Sequence, residues 1–319
     1  METRTLGKTG LKITPIGLGC WQFSQGRGFV SKFWPTLEPA LMDDIVRTAL
    51  EGGINWFDTA EVYGGGNSER ALAAALSRAG VKPGSVIIAT KWWPFLRTAS
   101  SIVRTFRFRQ AALDPYPVDL LQIHQPFSVS PVEKQAQAQA ALLKEKKVPA
   151  VGISNFRADD MRTFHRILGS EGFVLASNQV RYSLVDRSIE ADGTLEAAKE
   201  LGITIIAYSP LAQGLLSGRF HDDPAALKNV SFLRRTYSGL HADGLKKTEP
   251  LVRFLQETAK KYRASASQVA LNWLVTYHGS AVVAIPGATK VRHAQEAAHA
   301  LDFALSAGER EEISILARV

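Results

Sequence analysis

Ile54-Asn55-Trp56-Phe57-Asp58, Val86-Ile87-Ile88-Ala89-Thr90-Lys91 and Asp119-Leu120-Leu121-Gln122-Ile123-His124 are three short apolar runs, each stopping at an ionisable side chain. Asp58, Lys91 and His124 follow one another at intervals of 33 residues, the length of one strand-plus-helix unit. Read as parallel strands, the runs put these three groups on one rim of a sheet or barrel. Five similar runs lie outward from them: Thr14 to Leu18, Val148 to Ile153, Val174 to Asn178, Ile203 to Ala207 and Ala281 to Ile285. The segments between most of the runs have helical periodicity, which favours βα repeats over a sandwich.

Eight such units, with no Pro-rich linker or shift in composition between them, read as an α/β (β/α)8 TIM barrel, one domain over residues 1–319. Helix signals agree. Ser130-Pro131-Val132-Glu133 predicts a capping serine followed by proline at the first helical position, and Ser265 with Gln268 predicts a capping box. Gly52-Gly53, Gly80 and Gly202 each follow an amphipathic run, as left-handed terminators do. The doubly wound alternative lacks its fingerprint, because Gly17-Leu18-Gly19 continues as Cys20-Trp21-Gln22 without a third glycine. Gly7-Lys8-Thr9 is not a phosphate loop either: Glu2 stands where that motif needs glycine. Thr5 to Ile16, turning at Lys8-Thr9-Gly10, predicts a hairpin plugging the N-terminal end of the barrel. Two long connections, from Gly19 to about Met42 and after Ser209, predict loops above the C-terminal face.

The 319 residues are 45% hydrophobic and 21% charged, which excludes disordered and collagen-like chains. No apolar run reaches the ~18–20 residues of a membrane span, and Met1-Glu2-Thr3-Arg4 does not open a signal-like region, so a cytoplasmic location is expected. One cysteine, Cys20, supports neither an internal disulfide nor a thiolate metal cluster. The histidines form no HExxH pair, and His293 and His299 are off one helical face, so no metal site is expected. A net charge of +8 allows nucleic acid or phosphorylated ligands as partners. The most basic stretch, Arg97 to Arg109, reads as a surface helix with Ile102, Val103 and Phe106 inward and its arginines outward, rather than as a single-strand nucleic-acid patch.

Gly53-Ile54-Asn55-Trp56-Phe57-Asp58-Thr59-Ala60-Glu61-Val62-Tyr63-Gly64 resembles the first signature of the aldo-keto reductase superfamily. Lys91, His124, Gly152-Ile153-Ser154-Asn155-Phe156, Tyr208-Ser209-Pro210-Leu211 and Ile285-Pro286-Gly287 follow in that family's order, so the resemblance spans nearly the whole chain. It implies an alcohol:NADP+ oxidoreductase that reduces aldehydes or ketones by hydride transfer from nicotinamide, with Asp58, Tyr63, Lys91 and His124 as catalytic tetrad. Chemistry makes those roles intelligible. Hydride arriving at a carbonyl carbon leaves charge on oxygen, which must be stabilised and protonated. A phenol of ordinary pKa ~10 is a better donor beside an ammonium, so Tyr63 is the expected acid, Lys91 the activating charge and Asp58 its partner. His124 then orients the carbonyl oxygen.

For the cofactor, NADP(H), the same resemblance implies contacts from Cys20, Trp21, Asp58, Ser154, Asn155 and Gln179, the last on the carboxamide. Tyr208 is expected to stack on nicotinamide, with Ser209, Pro210, Leu211, Gln213 and Gly214 passing the pyrophosphate. Ile285, Gly287, Thr289 and Lys290 lead into a helix whose free amides suit the adenosine phosphate. His293 and Glu296 complete the set, although His293, and Ala297 after Glu296, depart from the common family pattern. Arg219 and the pair Arg234-Arg235 either clasp the phosphates or are solvated loop charge. Trp21, Tyr63, Trp92, Trp93 and His124 are the expected substrate contacts, and with Phe95 they suggest an aromatic or hydrophobic carbonyl compound. A nicotinamide-binding regulatory subunit with little turnover, as potassium-channel β subunits illustrate within the superfamily, is the alternative. No segment marks an oligomer interface.

Overall fold

The structure, a computed structural model, describes residues 2–26 and 33–318. Its centre is an eight-stranded parallel sheet in sequential order: β3 (Leu18–Gly19), β4 (Trp56–Asp58), β5 (Ile87–Trp92), β6 (Leu120–Ile123), β7 (Ala150–Ser154), β8 (Ser177–Arg181), β9 (Thr204–Tyr208) and β10 (Val282–Ile285). Parallel bridges from Ile16 to Ala284 and from Gly19 to Gly287 join the two edges and close the cylinder. Glycine is required at this seam. A Cβ on Gly17 would lie 2.3 Å from the Trp56 indole. β1 (Arg4–Thr5) and β2 (Lys12–Ile13) form the antiparallel hairpin. Its Leu6 and Ile13 join Trp56, Ala89, Leu120, Ala150, Ala176, Ile206 and Val283 in the apolar interior, so the hairpin stoppers the N-terminal end.

The helices α1 (Pro39–Glu51), α2 (Asn67–Arg78), α3 (Ser100–Leu113), α4 (Val132–Lys144), α5 (Ala158–Ser170), α6 (Ser188–Ala191), α7 (Thr194–Leu201), α8 (Arg219–Asp222), α9 (Phe232–Ser238), α10 (Ala242–Tyr262), α11 (Ala266–Thr276), α12 (Val291–Ala298) and α13 (Ala307–Leu316) follow the strands in turn. Apolar faces such as Ile45, Val46 and Ala49 of α1 or Phe164 and Leu168 of α5 fill a second, larger core between helices and barrel wall. Among the described residues no helix is long and apolar enough to cross a membrane.

All eight predicted strands exist, shifted towards their C-terminal ends. Pro149 has no N–H for a ladder, so β7 begins at Ala150, not Val148. Asn55 leaves its strand to tie down the hairpin, accepting from Thr14 N at 2.8 Å and donating to Lys12 O at 2.9 Å. The capping box at Ser265 and Gln268 forms in both directions. Ser130 does not cap α4: Pro131 is the boundary residue, and the Ser130 hydroxyl accepts from Ala99 N at 2.9 Å instead. The arginines of α3 are not all outward either, since Arg109 is buried. Of the two long connections, the one after Ser209 holds α8, α9 and two 3-10 turns, while part of the other, 27–32, lies outside the described residues.

Candidate active site

Asp58, Lys91 and His124 stand at consecutive strand ends because β4, β5 and β6 are in parallel register there, Gly19 beside Asp58 and Lys91 beside Gln122. The Lys91 side chain is fully buried and makes an ion pair with Asp58 Oδ1. Its Nζ also donates to Thr59 O at 2.9 Å and to the Tyr63 hydroxyl at 3.4 Å. Burial pushes the ammonium pKa down, and Asp58 opposes that shift. The other Asp58 oxygen accepts from Gln179 Nε2 at 2.8 Å and Gln122 Nε2 at 3.1 Å. One carboxylate thus receives donors from three other strands.

Tyr63 returns to the rim through a turn in which Tyr63 N donates to Ala60 O and Ser68 N to Tyr63 O. Gly64, Gly65 and Gly66 follow at φ of 67°, 64° and 84°. Such angles are open to glycine at little steric cost. The His124 ring meets the Tyr63 ring edge-on at 5.5 Å. Desolvation, with Lys91 adding to it, pushes the His124 pKa well below its usual value, so the imidazole is neutral and offers one donor and one acceptor. Four ionisable side chains scattered over 67 positions of sequence therefore meet at one mouth of the cylinder.

The Aldo/keto reductase family model matches residues 15–318. This chain belongs to the aldo/keto reductase family. Among its relatives, an uncharacterized oxidoreductase of Mycobacterium tuberculosis is 35% identical, the match covering 96% of this chain and 90% of that protein. The chloroplastic pyridoxal reductase of Arabidopsis thaliana is 31% identical over 97% of this chain and 84% of its own length. A solved aldo-keto reductase from Klebsiella pneumoniae in complex with NADPH superposes with a TM-score of 0.74 at 25% identity, covering 99% of this chain and 95% of that one. Carbonyl-directed oxidoreductase chemistry is the general activity of such a chain.

Around the rest of the reductase mouth, the Tyr208 hydroxyl donates to Asn155 Oδ1 at 3.1 Å, and Asn155 Nδ2 to Ser154 Oγ at 3.2 Å. Asn155, Ser209 and Gln213 all have positive φ, and Gly214 follows at 101°, so the backbone past β9 is sharply folded. Both amide atoms of Gln213 are buried with no hydrogen-bond partner among the described residues, as is Gln22 Oε1, which lies against Gly287. Arg234 donates to Gln213 O at 2.6 Å and stacks 3.9 Å from the Trp34 ring centroid, bridging the two long connections. The buried Nε atoms of Arg234 and Arg235 have no hydrogen-bond partner among the described residues, and Arg219 is exposed. Thr289 N donates to His293 Nδ1 at 3.3 Å. Burial, then Arg292, Lys290, Arg219 and Arg234, push the His293 pKa down to about 4. Glu296 is half-buried beside Arg292, its pKa raised by burial. That set is a strongly cationic corner beside the start of α12.

Not every candidate residue reaches the mouth. Strand alternation turns Lys91 inward and Trp92 outward, into the layer between β5 and α3, where its Nε1 donates to Ser101 Oγ at 3.2 Å. Trp92 is therefore a packing residue, which corrects its expected substrate contact. Cys20 is enclosed: its N donates to Asp58 O, its O accepts from Ser68 Oγ, and its Sγ faces Leu18 O. Trp21 stands 6.4 Å from Tyr63 and Trp93 5.2 Å from His124. From Trp93 an aromatic series continues to Phe127 and Phe95, at 5.5 and 6.4 Å. Phe127 is exposed in the structure, and its only signal in the sequence is an aromatic residue three positions past His124. Gln22 carries no distinguishing signal in the sequence, whereas Arg234 belongs to the arginine pair expected near the phosphates.

Proposed function

We propose that this family member is an NADP(H)-dependent reductase of aldehydes or ketones, with Tyr63 as the general acid. The observation that carries the reading is Lys91 Nζ in contact with both the Asp58 carboxylate and the Tyr63 hydroxyl. An ammonium accepted at the phenol oxygen stabilises phenolate, so Tyr63 gives up its own proton more readily than a free phenol. Asp58 holds the ammonium in place, and its second oxygen fixes Gln179 and Gln122. Neutral His124, at the edge of the Tyr63 ring, donates a hydrogen bond to the carbonyl oxygen without delivering a charge.

When bound, the dihydronicotinamide supplies the hydride. The buried amide group of Gln213 and the buried Oε1 of Gln22, without hydrogen-bond partners among the described residues, fit a polar ligand lying along the mouth between the strand ends. Arg219, Arg234, Lys290 and Arg292 around His293 fit a phosphate there, which is the reason for choosing NADP(H) over NAD(H). Ser154, Asn155 and Tyr208 orient the nicotinamide end. Trp21, Trp93 and Phe127 form apolar walls suited to an aromatic or hydrophobic carbonyl compound, and the relative named pyridoxal reductase is in keeping with an aromatic aldehyde. The whole chain acts as one domain located in the cytoplasm.

Tyr63→Phe tests the reading. Carbonyl-dependent oxidation of NADPH should fall by at least ~10³-fold while NADPH still quenches tryptophan fluorescence. Activity within tenfold of the parent enzyme would remove Tyr63 as the acid.

A further inference from the structure

Arg109 lies on α3, outside the barrel, and is the one buried arginine among the described residues. Its guanidinium makes ion pairs with two carboxylates: Nη1 with Glu61 Oε2, and Nε with Glu69 Oε1 at 2.9 Å, the latter off the hydrogen-bond line. Those acids sit on either side of Tyr63, two residues before it and six after. Glu61 also accepts from Arg97 Nη1 at 2.5 Å and from the Trp93 backbone N–H. Glu69 is fully buried and accepts from Thr90 Oγ1 at 2.6 Å, on the residue preceding Lys91. Two acids are thereby matched by two guanidiniums at the outer wall of the site.

We propose that Arg109 is a positioning residue for Tyr63: by holding Glu61 and Glu69 together, it fixes the two ends of the turn that carries the phenol. The proposal rests on Tyr63 being the acid. Between the two carboxylates the chain runs through three consecutive left-handed glycines, the most permissive backbone available. Such a turn keeps one geometry only if its ends are held. The contact it must preserve, 3.4 Å from Lys91 Nζ to the phenol oxygen, is already at the long limit of a hydrogen bond, so a further shift of ~1 Å breaks it. A buried ionic cluster is seldom more stabilising than apolar packing of the same volume, which makes geometry the more economical account of its presence. Arginine suits the task because its planar fork serves two acceptors from different edges, where a lysine serves as a point charge. Burial raises the Glu69 pKa to about 7, and Arg109 is the leading group that holds it down.

Misplacing a reacting group by ~1 Å costs on the order of 10²-fold in rate. Arg109→Met should therefore lower kcat for carbonyl reduction by ~10²-fold, leave the NADPH Kd within about twofold, and raise the primary deuterium isotope effect measured with 4-deuterated NADPH. Arg109→Lys should recover part of the loss. In a Tyr63→Phe background Arg109→Met should cost no further rate, because the group it positions is gone; a merely structural residue would cost the same in both backgrounds. If Arg109→Met fails to fold, Glu61→Gln releases one end of the turn alone and should lower kcat by ~10-fold with NADPH binding intact. A folded Arg109→Met or Glu61→Gln enzyme with kcat within twofold of the parent and an unchanged isotope effect overturns the positioning role while leaving the acid reading in place. A Tyr63→Phe enzyme that keeps its rate overturns both.

Discussion

Replacing Lys91 by methionine should unfold the protein more easily as well as silence it, and the structure sets the size of the effect. The Lys91 and Asp58 side chains are 0% and 2% exposed, so deleting the ammonium leaves a buried carboxylate with amide donors from Gln122 and Gln179 but no adjacent cation. Breaking a buried ion pair from one side costs about 3–5 kcal/mol. At ~2.1 cal/mol/K of unfolding entropy per residue, a 319-residue chain loses ~6 °C in Tm for ~4 kcal/mol. Asp58→Asn should cost a similar amount, since the ammonium then keeps only neutral acceptors, Thr59 O, the phenol oxygen and the amide oxygen that replaces the carboxylate, and no counter-charge. Combining Lys91→Met with Asp58→Asn removes both charges, and stability should return to within ~1.5 kcal/mol of the parent, because a neutral pair of similar volume needs no counter-ion. Urea unfolding of the four proteins measures the cycle, and NADPH absorbance should show no carbonyl reduction in any of the three variants. A double variant as unstable as Lys91→Met alone, or a Lys91→Met protein within ~1 kcal/mol of the parent, would refute the account of this pair as a charge-balanced buried unit.

Two further outcomes concern the cationic corner. Lys290→Ala should weaken NADPH by ~10-fold and NADH hardly at all, measured by fluorescence titration; equal weakening would place the extra phosphate elsewhere. His293, whose pKa lies at about 4 in the fold against 6.5 unperturbed, favours its neutral form, so its contribution to stability is present above about 6.5 and is lost as the pH falls towards 4. A bound phosphate offsets the four neighbouring cations and raises that pKa, so NADPH should bind with proton uptake near pH 5.5 and NADH without it. Calorimetry in two buffers of different ionisation enthalpy reads the protons directly, and equal uptake with both nucleotides would contradict the placement.

Strand order and the barrel were legible because they depend on apolar runs and spacing, both local properties of the chain. Asp58, Lys91 and His124 shared a rim for the same reason: one βα unit advances the chain by one strand. Strand ends drifted where a single residue intervened, as Pro149 did by lacking an N–H. Arg109 was read as outward-facing because a helical pattern registers apolar residues, while the acids that draw it inward, Glu61 and Glu69, arrive from a different βα unit. Trp92 and Trp93 are adjacent and chemically alike, and only the pleat of β5 sends one to the packing layer and brings the other to His124. Phe127 depends on a loop path that no periodicity encodes.

The Asp58 carboxylate has a practical consequence for anyone redesigning this catalyst. Because it is shared by Lys91, Gln122 and Gln179, a substitution at either glutamine also alters the field felt by the ammonium. Gains in recognition made there come entangled with losses in turnover. Lys290 and His293 are not bonded to that carboxylate, so, on the proposed placement of the cofactor, a laboratory evolution campaign would do better to begin from this cationic corner and leave the glutamines untouched.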